Sequence, residues 1–170
     1  SDNMIFQRNH KIPVWGTAKP STKIKAVFKE TTVATIADKS GNWKLYFDKQ
    51  KAGGPFQLTV SSENKTIEFN DILIGEVWLA SGQSNMHLDL KRTLNGEEVA
   101  KKANNPNIRI YYMKPTFPTG KDGVHTIEEL EKIQKNQYFN TKGWVKVTPE
   151  NVLYFSAVAY YFAEKLQSDL

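Results

Sequence analysis

The four consecutive residues Gly82-Gln83-Ser84-Asn85 combine the types that acyl-transfer chemistry needs at a nucleophile. They follow residues 72–80, a nearly continuous apolar run interrupted by one charge, Glu76. Such a run predicts a strand buried on both faces. A strand that runs into a glycine-flanked serine puts the hydroxyl at the carboxyl edge of a sheet, where α/β proteins build their sites. Gly82 permits the sharp turn this requires. A helix starting near Ser84 and Asn85 would aim free amides and its positive dipole end at the serine oxygen. That is half an oxyanion hole beside a nucleophile. The same residues also suit an ordinary strand-to-helix N-cap, and spacing alone does not separate the two. A phosphate-binding loop is excluded, because no Lys-Ser or Lys-Thr pair follows the glycine.

A serine hydroxyl needs a base, and the chain holds three histidines, His10, His87 and His125. His87 lies three residues after Ser84. On one helical turn that offset points its side chain along the axis, so it reads as a rim or substrate-contacting residue rather than as the base. His125 sits in a loop between Gly and Thr residues, and His10 in the first, strand-rich part. Asp89 and Glu76 could orient a base but not replace one. With no cysteine, the chain has no thiol nucleophile, disulfide, iron–sulfur cluster or cysteine-based zinc site. This leaves the compartment undecided.

The elements that must position Ser84 fall into two groups. Ile24, Ala26 and Phe28 alternate with lysines, Trp43, Leu45 and Phe47 with polar residues, and Phe56, Leu58 and Val60 likewise. Short strands are also expected at 33–37 and 66–70, with turns at 38–42 and 51–55. This spacing predicts an antiparallel β-sandwich over residues 1–71. Trp15 and Trp43 read as core aromatics of that unit rather than as a sugar-binding platform. Beyond the strand at 72–80, a helix is expected over 95–103, a second buried strand over 108–113 and a polar helix over 127–135. A final helix over 157–167 is capped by Ser156, with Phe155 stapled against Tyr160. It is apolar on most sides and predicts burial against a sheet. Residues 72–170 thus read as an α/β unit.

In composition the chain is an ordinary globular one: 170 residues, 39% hydrophobic, 12% aromatic, 24% charged. Its net charge of +5 comes from scattered lysines, which form a solvated surface and not a nucleic-acid footprint. No apolar run reaches the ~18–20 residues of a membrane helix.

The block Gly75-Glu76-Val77-Trp78-Leu79-Ala80-Ser81-Gly82-Gln83-Ser84-Asn85-Met86 resembles the nucleophile block of sialate O-acetylesterases, in the SGNH/GDSL-type hydrolases. Residues 1–8, Pro13-Val14-Trp15-Gly16, residues 51–56 and the stretch from Trp144 through Ala163 are similar to further parts of that family, in order. The resemblance implies metal-free, cofactor-free removal of O-acetyl groups from sialic acid or a related acetylated sugar. Ser84 would be the nucleophile and its amide one oxyanion donor, in a site formed by Gly82, Gln83, Ser84 and Asn85. Gln83 stands where many relatives in the wider superfamily carry Asp, and His87 where relatives often carry an acid. The family's Asp-x-x-His pair and remaining oxyanion groups have no counterpart in these 170 residues, so the base is expected outside them. His87 and Arg92 are the candidate substrate contacts. Arg109 is a further partner for a sialate carboxylate, although surface salt bridges are the expected role of both arginines. The implied fold is a jelly-roll-like β-sandwich at 1–71, then the first half of a flavodoxin-like, parallel-sheet SGNH domain at 72–170. The resemblance also implies an exported, periplasmic or secreted protein, although no leader is visible. A half-domain would expose apolar faces and invite association. The alternative is a non-catalytic carbohydrate-binding or interaction module, which has no need of a serine at a sheet edge.

Overall fold

The computed structural model describes residues 1–115, 125–134 and 139–170. Seven strands come first: β1 (Ile5–Gln7), β2 (Ile12–Thr17), β3 (Lys23–Phe28), β4 (Thr31–Ile36), β5 (Asn42–Phe47), β6 (Gly53–Ser61) and β7 (Thr66–Gly75). Five form one sheet in the order β1-β7-β6-β3-β4, in which β1 and β7 run parallel and the other neighbours antiparallel. β2 and β5 form a separate antiparallel pair. The period-two pattern decides which residues point inward. Ile24, Ala26 and Phe28 of β3, Leu58 and Val60 of β6, and Ile72 and Ile74 of β7 bury one face of the large sheet against Ile12, Val14, Leu45 and Phe47 of the β2–β5 pair. Phe28 is the hub, its ring 5.5–5.7 Å from those of Phe6, Phe47 and Phe56. Of the two tryptophans expected in this core, Trp43 is partly buried against it. Trp15 is 68% exposed, because its register position opposite Lys44 faces outward.

The strand expected over residues 72–80 is not present. Residues 72–75 are instead the end of β7, and residues 76–80 form no strand. The reason lies at Asp71, whose φ of +56° puts it in the left-handed region that Asp tolerates. Leu58 pairs with Phe69 while Phe56 pairs with Ile72, so β7 carries one residue more than β6 between these rungs. That β-bulge moves the inward positions from Phe69 to Ile72 and Ile74. In the sequence the change of phase resembles the end of one element and the start of another. In the structure β7 runs through residue 71 without a break.

The later elements are α1 (Gly96–Lys102), β8 (Arg109–Tyr111), β9 (Lys114–Pro115), α2 (Ile127–Gln134), β10 (Phe139–Asn140), β11 (Trp144–Lys146), α3 (Pro149–Val152) and α4 (Ala157–Asp169). Of these, α1, β8, β11, α3 and α4 surround a second core that includes Leu90, Ala100, Ile108, Ile110, Val147, Val152, Ala157 and Tyr160. Four elements stand near their expected places. The expected helix at 127–135 is seen as α2, and position 135 lies outside the described residues. Pairing differs from expectation: β8 is antiparallel to β11, and among the described residues no two strands of this part pair in parallel. Ser156 caps α4 by accepting from the Ala159 amide at 3.3 Å. Only Ala157, Ala159 and Tyr160 of α4 are buried, while Val158, Tyr161 and Phe162 stay 38–49% exposed. The expected burial against a sheet is therefore not met. A helix apolar on most sides needs cover on two faces, and the second core covers one.

The bulge also joins the two cores. Asp71 accepts from Arg109 Nη2 at 2.9 Å and is ion-paired with Lys146, while Arg109 Nη1 donates to Asn3 Oδ1 at 3.2 Å. The Arg109 side chain is only 2% exposed, so it is neither a surface ion pair nor open to a substrate, as the sequence had it. Lys146, and with it Arg109, holds the Asp71 carboxyl below its ordinary value. The stabilisation this brings is therefore present above the unfolded-chain value, about pH 4, and is lost as pH falls through the lower folded-state value. Asp71→Ala is expected to cost about 3 kcal/mol at pH 7, because it leaves a buried guanidinium uncompensated. In urea titrations the gap from the unaltered protein should narrow steadily toward pH 3; a constant gap would show that the charge of Asp71 is not what holds this junction.

Candidate active site

The segment leading to Ser84 is clamped where it leaves the sheet. The Arg8 amide donates to Gly75 O at 2.8 Å, and the Val77 amide to Gln7 Oε1 at 2.7 Å. The Glu76 carboxylate accepts from Gln7 Nε2 at 3.1 Å and pairs with the Arg8 guanidinium. These donors, Gln7 first, keep the Glu76 carboxyl below its usual range. Glu76 thus ties the end of β7 to the end of β1, a role the sequence did not show. Its partners lie 68 and 69 positions away, and only the parallel pairing of Phe6 with Ile74 brings them together. Further along, the Trp78 ring stands edge-on to Phe162 of α4 at 5.3 Å.

Residues 84–87 form a single turn in place of the expected helix start, closed by the His87 amide donating to Gln83 O at 3.1 Å and the Leu88 amide to Asn85 O at 3.3 Å. The chain cannot coil further because it is drawn onto the start of α4. The Ala157 amide donates to Leu88 O at 2.9 Å, and the Leu90 amide to Phe155 O at 3.0 Å. The Ser156 hydroxyl also donates to Met86 Sδ at 3.3 Å. Gly82 approaches Met86 closely, since a Cβ there would lie 3.1 Å from Met86 Cβ.

Ser81, Gly82, Gln83, Ser84, Asn85 and Met86 line an open concavity of about 440 Å³. Ser84 is exposed, and its hydroxyl has no hydrogen-bond partner among the described residues. The structure thus brings Gly82, Gln83, Ser84 and Asn85 together, and leaves the other candidates off the lining. His87 is exposed just beyond it. Arg92 is exposed at the end of the short 3₁₀ turn Leu90–Arg92. His125 lies 3.7 Å from Glu129 at the start of α2, and His10 is exposed beside the Glu76 clamp. Among the described residues, no group of three His, Asp or Glu side chains is placed to hold a metal ion.

A serine on a tight, exposed turn is accessible to an incoming ester. Comparison with known proteins narrows the class. The chain is 28% identical over its whole length to the sialate O-acetylesterases of Pongo abelii and Homo sapiens, and 28% identical over 92% of its length to that of Mus musculus. Among solved structures it resembles a carbohydrate acetylesterase from Xanthomonas citri, with a TM-score of 0.83 and 29% identity over 99% of the chain. No protein-family profile matches the chain. It is therefore sialate O-acetylesterase-like along its entire length, as the residues around Ser84 imply. It spans 34% of the first two relatives and 36% of the Xanthomonas citri protein.

Proposed function

We propose that the chain supplies the nucleophile of a serine esterase that removes O-acetyl groups from sialic acid or a related acetylated sugar. What supports this is the exposed Ser84 hydroxyl, without a hydrogen-bond partner among the described residues, in the concavity of residues 81–86 of a chain similar throughout to acetylesterases. Ser84 Oγ attacks the acetyl carbonyl carbon and gives its proton to a base. The Ser84 amide, with Gln83 and Asn85 beside it, stabilises the oxygen that becomes negative. Collapse of the tetrahedral intermediate expels the sugar hydroxyl, which takes the proton back, and water then releases acetate from the acyl-serine. The base is a residue outside these 170, since none of the three histidines lines the concavity. In the same reading, the β-strands of the first part, β7 included as far as Gly75, form a jelly-roll-like sandwich, and the chain after them begins an SGNH domain that further chain completes. That further chain, or another copy, covers the open side of α4. No helix among the described residues is long and apolar enough to cross a membrane. A periplasmic or secreted location belongs to the same reading, by resemblance to that family.

Fluorophosphonate labelling of the intact protein tests the assignment. The adduct is expected on the peptide carrying Ser84, because only a serine activated by a base reacts rapidly. An adduct on Ser81 would move the role there, and reaction at neither would remove the esterase reading.

A further inference from the structure

We propose that the outward face of the β2–β5 pair is a second sugar-binding site, one that stacks a pyranose ring of a glycan on Trp15 and is separate from the Ser84 concavity. The register decides what this face presents. Ile12, Val14 and Gly16 pair with Phe47, Leu45 and Trp43 on the inner side, so Pro13, Trp15 and Thr17 pair with Tyr46, Lys44 and Asn42 on the outer side. Trp15 is 68% exposed and Tyr46 49%, on adjacent strands and diagonal to one another. Side chains so related across a strand pair stand about 7–8 Å apart at Cα, a spacing within reach of one sugar ring or two linked ones. Lys44 stands directly opposite Trp15 and two residues before Tyr46, its ammonium 5.1 Å from the Tyr46 ring centre.

Beside Trp15 the surface sinks into an open concavity of about 490 Å³. Gly16 and Trp43, which face the inner side of the pair, border it at the end of the two strands. A Cβ on Gly16 would come within 2.7 Å of Trp43 Cζ2, so the missing side chain lets the Trp43 indole lie against the backbone. The rim carries Thr17, Asn42, Lys44 and Asp38, whose Oδ1 is held by the amides of Ser40 and Asn42 at 2.8 and 2.9 Å. A pyranose has apolar C–H faces and a rim of hydroxyls. An exposed indole bordered by a carboxylate, an ammonium, an amide and a hydroxyl complements both. An apolar peptide or a second copy would leave those rim groups desolvated without partners, which is costly. The site needs no acetyl group and no nucleophile, so it stands or falls apart from the role of Ser84. Its use would be to hold a longer glycan while acetyl groups are removed elsewhere on it.

The experiment is native electrophoresis of the intact protein through gels containing unacetylated hydroxyethyl cellulose, together with tryptophan-fluorescence titration by 3′-sialyllactose. Retardation or quenching with at least one probe is expected, and which probe acts tells a neutral glucan-like chain from a sialylated one. Trp15→Ala and, separately, Tyr46→Ala should weaken that binding about tenfold, the loss of one ring contact, with thermal melting unchanged. Ser84→Ala should leave binding unaltered while abolishing ester turnover. Failure of the unaltered protein to bind either probe, or full binding by both Trp15→Ala and Tyr46→Ala, would overturn the proposal and leave the esterase reading as it was.

Discussion

Ser84→Ala in the intact protein is expected to lower acetyl-ester hydrolysis by about four to six orders of magnitude, the cost of removing a serine nucleophile. The fold should survive. Ser84 is exposed and makes no side-chain hydrogen bond among the described residues, so its removal opens no cavity and strands no buried partner. Thermal melting should coincide with that of the unaltered protein, and the KM for an O-acetylated sugar should change far less than kcat. Turnover that persists within tenfold would transfer the nucleophilic role, with Ser81 on the same concavity the first place to look. A loss of activity together with a lowered Tm would mean that Ser84 serves the turn and not the chemistry.

Residues 1–170 on their own are expected to hydrolyse p-nitrophenyl acetate no faster than the same polypeptide with Ser84→Ala. A serine hydroxyl is a weak nucleophile near neutral pH and needs a base within hydrogen-bond reach, about 3 Å. His87 is exposed outside the lining, His125 is beside Glu129, and His10 stands by the Glu76 clamp. Without the base, the oxyanion donors alone leave a residual effect about three orders of magnitude above water. The same polypeptide should also associate. Val158, Tyr161 and Phe162 of α4 and Leu79 of the segment leading to Ser84 remain exposed, and an apolar surface of this kind favours contact with a second copy. Light scattering should show a mass above 19.4 kDa. Ser84-dependent turnover in the ordinary enzyme range, roughly 1–1,000 per second, would show that a histidine of this chain or of a neighbouring copy is the base.

How much of this was legible without coordinates differs from element to element. The inward-facing sets of β3, β5 and β6 were readable residue by residue, because a one-sided strand must alternate. α4 began where Ser156 could cap it, and α1 and α2 lay within a residue or so of their expected spans. The block around Ser84 pointed to an acetylesterase-like chain through its resemblance to that family, while its residue types and spacing alone suited an N-cap as well. Local order thus sufficed wherever the cause was local.

Tertiary structure decided the rest. The apolar run at 72–80 has the composition of one buried strand, yet β6 supplies pairing partners only as far as Gly53 opposite Ile74, and the strand ends at Gly75. The left-handed Asp71 is a backbone choice stabilised by Arg109 and Lys146, residues far along the chain that composition cannot place. Likewise the Gln7 and Arg8 clamp on Glu76, the arrest of the 84–87 turn by Leu88 and Ala157, and the outward aim of Trp15 follow from pairing register. The sequence by itself determined which residues are candidates for the chemistry and which faces must be buried, because these depend on neighbours one to four positions away. Where those residues end up, and which of them meet, depended on strand pairing between segments up to 68 positions apart, for which a single sequence holds no periodic signal.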